Sequence, residues 1–566
     1  MSAAGPAADN AADNAAGSTT GSSRANAVDV RNLRVRFGTG PDAVGGISFG
    51  IAPGECFALV GESGSGKSVT ARSLVGLTGG SVTADRLEVA GVDVRSLGRR
   101  GLERLRGAAV GTISQDALVA LDPLRLVGRE VEDALRLHTG LSPVDRRARV
   151  RELLELAGIP DPEVRAGQRS GELSGGLRQR ALIAAAIAAS PAVLVADEPT
   201  TALDSQVRDG ILELVRRQAD AGVAVLLISH DLSVVRAIAD RVAVMRGGVI
   251  LEEGPTSRVL ESPSHDYTRA LLAASPVGRP RHHVLLAGAT VPEGGAVPGG
   301  TTVPGGTTVP EGGATVPEGG AVPVPAQPPH TRTVIPPGAP APSSALRAVD
   351  LRLDFPSPGG APRRVLDRVS FELPTGSTLG LVGASGSGKT TIARIALGLQ
   401  RPDGGELLLF GERWSSLPER ERRSRRGSIG AVYQDPLTSF DPRFTVGEIL
   451  TDAVTRGAHL RSRPASAPRV RELLHSVGLD PSVVARRPRH LSGGQRQRVA
   501  IARALGAEPR VLILDEPVSS LDVSVQAQIL DLLDALQRTL GLSYLFISHD
   551  LDVIEHMSDA VLRLEA

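Results

Sequence analysis

The chain has 566 residues, and its 63 basic residues against 62 acidic ones leave a formal net charge of +1. The length allows three or four domains with cores of their own, and the charge balance excludes a general electrostatic pull toward nucleic acid or anionic lipid. A single cysteine, Cys56, excludes internal disulfides and cysteine-based metal or iron–sulfur sites, and the longest apolar run, 181–189, falls far short of the ~20 residues of a membrane span.

Residues 1–26 are rich in Ala, Gly, Ser and Asn and repeat Ala8-Asp-Asn. They lack the basic start and apolar core of a signal peptide and read as a disordered tail. From 28 to 37 the chain alternates as a half-buried strand does, and Cys56-Phe-Ala-Leu-Val60 reads as a buried strand with Cys56 as a small core side chain. That strand runs into Gly61-Glu-Ser-Gly-Ser-Gly66-Lys67-Ser68, with a helix expected from Ser68. In such a loop backbone N–H groups wrap phosphates at a helix N-terminus, and the slim lysine reaches oxygens that a guanidinium fork would not. Only two lysines occur in the chain, Lys67 and Lys389, and both close a loop of this form, a pattern that one lysine meets by chance about once in 600 trials.

Helical stretches with arginine-rich faces follow, such as 131–138, and then a second buried strand, 192–196, ending at Asp197-Glu198-Pro199. Proline forces the chain out of the sheet there, and two adjacent carboxylates at a strand end point apart and divide the work. The aspartate fits a Mg²⁺ partner with the Ser68 hydroxyl, and the glutamate fits a base that polarises water.

Residues 277–344 recur as Thr-Val-Pro, Gly-Gly and Pro-Glu-Gly-Gly units without apolar periodicity, which marks a linker. Beyond it the first pattern returns: Lys389 lies 322 residues after Lys67, Gln434 319 after Gln115, Ser492 318 after Ser174, Glu516 318 after Glu198 and His549 319 after His230. One domain, 27–276, is therefore duplicated as 345–566. The second copy repeats the loop Gly383-Ala-Ser385-Gly386-Ser-Gly388-Lys389-Thr390, and a strand at 511–514 ends at Asp515-Glu516-Pro517. The fold class is α/β with an inserted helical portion.

Both halves resemble the nucleotide-binding domains of ATP-binding-cassette (ABC) proteins. The signature stands as Leu173-Ser174-Gly175-Gly176-Leu177-Arg-Gln-Arg180 and Leu491-Ser492-Gly493-Gly494-Gln495-Arg-Gln-Arg498. Gln115 and Gln434 match the Q-loop, His230 and His549 the switch histidine, and Asp204 and Asp522 the D-loop. Phe37 and Phe355 match an adenine-stacking aromatic, with core phenylalanines as the alternative. The resemblance implies two P-loop domains, each with a RecA-like α/β core, an antiparallel β portion and a helical subdomain. It implies ATP and Mg²⁺, held by the loop residues Gly61, Ser63, Gly64, Gly66, Lys67, Ser68 and Val69, and Gly383, Ser385, Gly386, Gly388, Lys389, Thr390 and Thr391. Its metal partners are Ser68, Gln115 and Asp197, and Thr390, Gln434 and Asp515. It further implies a head-to-tail dimer in which Lys67, Ser68, Asp197, Glu198 and His230 work with Ser492 and Gly494, and Lys389, Thr390, Asp515, Glu516 and His549 with Ser174 and Gly176. Leu177, where the signature has glutamine, is expected to tune a site without removing it.

The finer resemblance is to ATPase subunits of bacterial importers for dipeptides, oligopeptides, glutathione and nickel. It rests on Gln434-Asp-Pro-Leu-Thr-Ser-Phe-Asp-Pro442, Ala196-Asp-Glu-Pro-Thr-Thr-Ala-Leu-Asp204 and the tail Ser262-Pro-Ser-His-Asp-Tyr-Thr268. It implies a peripheral protein on the cytoplasmic face of the cell membrane, coupled through 116–140 and 435–460 to two integral-membrane permease subunits. An extracellular solute-binding protein completes the system. The second copy has no counterpart to 248–276, so its folding is expected to depend on whether the last strand, 560–564, still pairs. The alternative reading is a soluble twin-cassette ATPase acting on ribosomes or nucleic acid machinery. The near-zero charge and Pro/Gly/Val-rich linker speak against it.

Overall fold

The computed structural model describes residues 25–114, 120–200, 203, 205–286, 344–356, 362–384, 386–457, 463–519 and 521–564. The chain divides into two units, Met1–Ser275 and Pro276–Ala566. Gln115, Asp204, Ser385 and most of the expected tail and linker lie outside the described residues.

The first unit opens with strands β1 (Val28–Arg36) and β2 (Asp42–Ile51). Antiparallel to both β2 and β4 (Arg86–Val89), β1 is central to a sheet whose inward residues Val28, Val30, Leu33 and Val35 are fully buried. Beside it stands a six-stranded sheet of β3 (Cys56–Val60), β5 (Val110–Ile113), β6 (Val193–Asp197), β7 (Ala224–Ile228), β8 (Arg241–Arg246) and β9 (Val249–Pro255), in the order β9-β8-β3-β7-β6-β5. All its pairings are parallel except that of β8 with β9. Strands buried on both faces need apolar side chains throughout, which is why 56–60 and 193–196 carry no alternation. Cys56 is 0% exposed there, and burial pushes its thiol up to about 12. Its helices include α1 (Lys67–Leu74), α2 (Val127–His138), α3 (Pro143–Leu156), α4 (Gly175–Ile187), α5 (Ser205–Asp220), α6 (Leu232–Ile238) and α7 (Asp266–Ala273). Val131 and Leu135 of α2 are buried, as are Val150, Leu153 and Leu154 of α3.

The second unit repeats the plan. Strand β10 (Ser344–Phe355) pairs antiparallel with β11 (Arg363–Pro374) and with β13 (Gly404–Leu409). The parallel sheet consists of β12 (Thr378–Gly383), β14 (Ile429–Val432), β15 (Val511–Asp515), β16 (Ser543–Ile547) and β17 (Ala560–Leu564), ordered β14-β15-β16-β12-β17. Its helices include α8 (Lys389–Ala396), α9 (Val446–Thr455), α10 (Arg463–Ser476), α11 (Gly493–Leu505), α12 (Val523–Leu540) and α13 (Leu551–Met557). The last strand does pair: β17 runs parallel to β12 from Leu379–Ala560 to Gly383–Leu564.

One element differs from the sequence expectation. The second unit begins at Pro276, one residue before the segment 277–344 read as linker, and Arg279–Leu286 within that segment pack on α12 and on the turn before β17. The tail motif of the first unit also has a structural task. The Glu252 carboxylate of β9, buried, accepts hydrogen bonds from the Ser264 amide and hydroxyl at 2.7 Å and from the His265 amide at 3.1 Å, fixing the chain that enters α7.

Candidate functional site

Sheet order brings the candidate residues together. In the order β3-β7-β6, the P-loop leaves the C-terminal end of β3, His230 follows β7, and Asp197-Glu198 closes β6, so three segments distant in sequence meet at one sheet edge. Ligand crevices of open α/β sheets form outside these carboxyl ends. In the second unit β12, β16 and β15 do the same for Lys389, His549 and Asp515-Glu516.

Gly66 and Gly388, with φ of 102° and 98°, are the caps of α1 and α8. A side chain at Gly66 would bring Cβ to 2.7 Å from the Ala43 carbonyl, so both backbone sign and space require glycine there. Lys67 is 7% exposed, and its Nζ donates to the carbonyls of Gly61 and Glu62 at 2.7 and 2.8 Å and to Ser65 Oγ at 3.2 Å. Lys389 Nζ donates to Gly383 and Ala384 at 2.6 and 2.8 Å. Each ammonium is thus held over its own loop by carbonyls spaced for a single nitrogen. Ser63, Gly64, Val69, Gly386 and Thr391 lie in these loops or the first turns of their helices.

Behind each lysine stand the acids. Ser68 Oγ donates to Asp197 Oδ1 at 3.1 Å, and burial, with help from Glu198, raises the Asp197 pKa above the usual range. At Asp515 the same two causes, burial first and Glu516 second, push it up to about 6. His230 Nδ1 lies 3.2 Å from Glu198 Oε1 and His549 Nδ1 3.4 Å from Glu516 Oε2. Burial opposes the His230 imidazolium, but its bond to Glu198 outweighs this and raises the His230 pKa. Burial likewise opposes the Glu516 carboxylate, yet His549 and Lys389 hold its pKa below the ordinary value. Gln434 Nε2 donates to Glu516 Oε2 at 2.7 Å, joining the segment after β14 to the acid pair.

Sequence reasoning did not foresee that Glu198 and Glu516 both adopt φ of 49°. A left-handed, non-glycine residue directly before proline opposes two backbone preferences and stores on the order of 1 kcal/mol or more. Each glutamate amide still donates to a sheet carbonyl, Ile228 at 3.0 Å and Ile547 at 2.9 Å. Pro199 and Pro517 speak against that conformation, so no local pattern signalled it.

The signature serines cap helices. Ser174 Oγ accepts from the Leu177 amide at 3.4 Å at the start of α4, and Ser492 Oγ from the Gln495 amide at 3.2 Å at the start of α11. Gln495 Oε1 also accepts the Ser492 amide at 3.1 Å, closing a capping box that Leu177, with no polar atom, cannot form. Gly176 and Gly494 lie so close to Val207 and Val525 that a Cβ would stand at 2.6 and 2.5 Å from a valine methyl. Gly175 and Gly493 precede them in the same turns. Phe37 and Phe355 are 45% and 38% exposed, so neither is a core residue.

Two loops shaped for phosphate, each backed by an Asp-Glu pair and a histidine, define a duplicated P-loop ATPase. Comparison with known proteins narrows the class. The ABC transporter family matches residues 44–201 and 366–519. The chain is 39% identical over 547 residues to the peptidoglycan transport ATP-binding protein YejF of Agrobacterium fabrum, spanning 94% of this chain and 90% of that one. It is 38% identical over 563 residues to the glutathione import ATP-binding protein GsiA of Escherichia coli, spanning 95% and 84%. An archaeal ribosome recycling factor, solved with a ribosomal stalk protein, shares the fold with a TM-score of 0.58 at 19% identity, over 94% of this chain and 87% of that one. The chain belongs to the ABC transporter family, carries two of its cassettes, and is an ATP-binding, ATP-hydrolysing protein. No helix among the described residues is long and apolar enough to cross a membrane.

Proposed function

We propose that the protein energises import of peptides or similar small solutes, in the dipeptide, oligopeptide, nickel and glutathione class. The observation that carries this reading is the complete Lys, Asp-Glu and His set in both units, together with 38–39% identity to ATP-binding proteins of import and transport along most of the chain. Its cargo is selected by partners: two integral-membrane permease subunits and an extracellular solute-binding protein. Its place is the cytoplasmic face of the cell membrane.

In this reading the loop amides of 61–68 and 383–390 bind the ATP phosphates, with Lys67 and Lys389 on the outer oxygens and Phe37 and Phe355 against adenine. Glu198 and Glu516 accept the proton of the attacking water, and His230 and His549 orient that carboxylate and carry charge beside it. The signature turns at Ser174–Gly176 and Ser492–Gly494 offer helix N-termini to the phosphate of the opposite cassette. Ser68 and Asp197 form an oxygen donor set that suits a hard cation, and Gln115 belongs to the same proposed set, as Thr390, Asp515 and Gln434 do in the second. Bound there, Mg²⁺ would supply charge neutralisation on the phosphate oxygens.

Glu198→Gln with Glu516→Gln is expected to keep ATP binding and to lower turnover by at least ~100-fold, the range for loss of a general base. Persisting ATPase activity in the double variant would refute the assignment of the bases. Affinity capture from native membranes tests the transport role: co-purification of integral-membrane partners supports it, and recovery with ribosomes instead would overturn it.

A further inference from the structure

The duplicated domains differ at one matched ion pair. In the first unit Asp240, in the turn before β8, accepts the Cys56 amide at 2.8 Å and pairs with Arg216 of α5 at 2.9 Å. In the second unit Asp559 accepts the Thr378 amide at 2.7 Å in the same way, since Thr378 and Cys56 each stand eleven residues before their lysine. The helix position aligned with Arg216, however, is Asp534, so α12 presents a carboxylate where α5 presents a guanidinium. The missing cation comes from outside the duplicated domain. Arg281, with its side chain 14% exposed, places Nε 2.7 Å from Asp559 Oδ1 and donates through Nη2 to Gln537 at 2.7 Å and Thr378 Oγ1 at 3.2 Å.

Neighbouring residues fix the same segment. His282 Nδ1 lies 2.6 Å from Asp534 Oδ1, the Asp531 carboxylate accepts the Leu285 and Leu286 amides at 2.9 and 3.0 Å, and Leu285 is 3% exposed. An acidic helix face thus meets a short basic segment ending in a buried leucine. Backbone, charge and apolar contacts all coincide over eight residues.

We infer that Arg279–Leu286 is a docking segment on which the second cassette depends, with α12 and Asp559 as its receptor surface and Arg281 replacing, from outside the duplicated sequence, the guanidinium that the first cassette carries as Arg216. The second cassette therefore starts functionally at Arg279, and the first residues after the first cassette are anchored to the second one.

The full-length chain tests this through Trp414, its sole tryptophan, buried in the second unit. Urea unfolding followed by Trp414 fluorescence is expected to show a midpoint lowered by about 0.5 M in Arg281→Ala. Arg216→Ala serves as control and is expected to leave this transition in place. Hydrogen exchange on the wild-type chain supplies a test independent of any variant, because the Leu285 and Leu286 amides are expected to be protected. An unchanged midpoint in Arg281→Ala, or exchange of both amides at free-peptide rates, would each overturn the inference.

Discussion

Asp515 is held at a cost that the structure allows to be sized. Its carboxyl has an ordinary pKa of 3.8 and is pushed up to about 6, by burial first and by the adjacent Glu516 second, against the opposing Lys389 and Arg394. A shift of about two units corresponds to about 3 kcal/mol. Because the folded pKa lies above the unfolded one, the stability associated with this group is fully present below about pH 4 and is lost as the pH rises to about 6. Asparagine at this position carries no charge to desolvate. Asp515→Asn is therefore expected to be more stable than the wild type by up to about 3 kcal/mol near neutral pH without nucleotide, and equal to it below about pH 4. Trp414 makes the assay selective: it is fully buried, donates its indole N–H to the Ala396 carbonyl at 2.8 Å, and reports the unfolding of the second unit. Urea titrations at both pH values give the two differences. No gain near neutrality, or the same gain at low pH, would refute the reasoning. A gain accompanied by lost ATPase activity would mark the trade between stability and a charged site.

Leu177→Gln is expected to close the capping box on Ser174 and slow exchange of the Ser174 amide by the equivalent of about 0.5–1 kcal/mol, and unchanged exchange would count against that geometry. Glu252→Ala removes the acceptor of three hydrogen bonds from Ser264 and His265 and is expected to release α7 by about 2–3 kcal/mol, read as faster exchange at 266–273 with the Trp414 transition unmoved. Lys67→Arg with Lys389→Arg is expected to abolish ATPase activity while leaving the Trp414 transition in place. Each Nζ sits between two carbonyls under 3 Å away, where a guanidinium fork cannot be seated. Normal activity in that variant would overturn the role given to the lysines.

The sequence by itself determined the duplication, the α/β class and the residues to examine, because these depend on local chemistry repeated at a fixed interval. A lysine after Gly66 or Gly388, a carboxylate pair closing a buried strand and a serine heading a helix are each legible within a few residues. Their convergence was decided by the sheet: only the order β3-β7-β6 sets Lys67, His230 and Glu198 at one edge, and no local pattern encodes which strands are neighbours. The left-handed twist at Glu198 and Glu516 also belongs to the tertiary structure, since the residue before a proline does not take that conformation unless its surroundings impose it. Arg281 is the clearest case. In sequence it opens a Pro/Gly-rich segment with no periodicity, and only the folded second unit, with Asp534 where its duplicate has Arg216, gives that arginine a partner at Asp559.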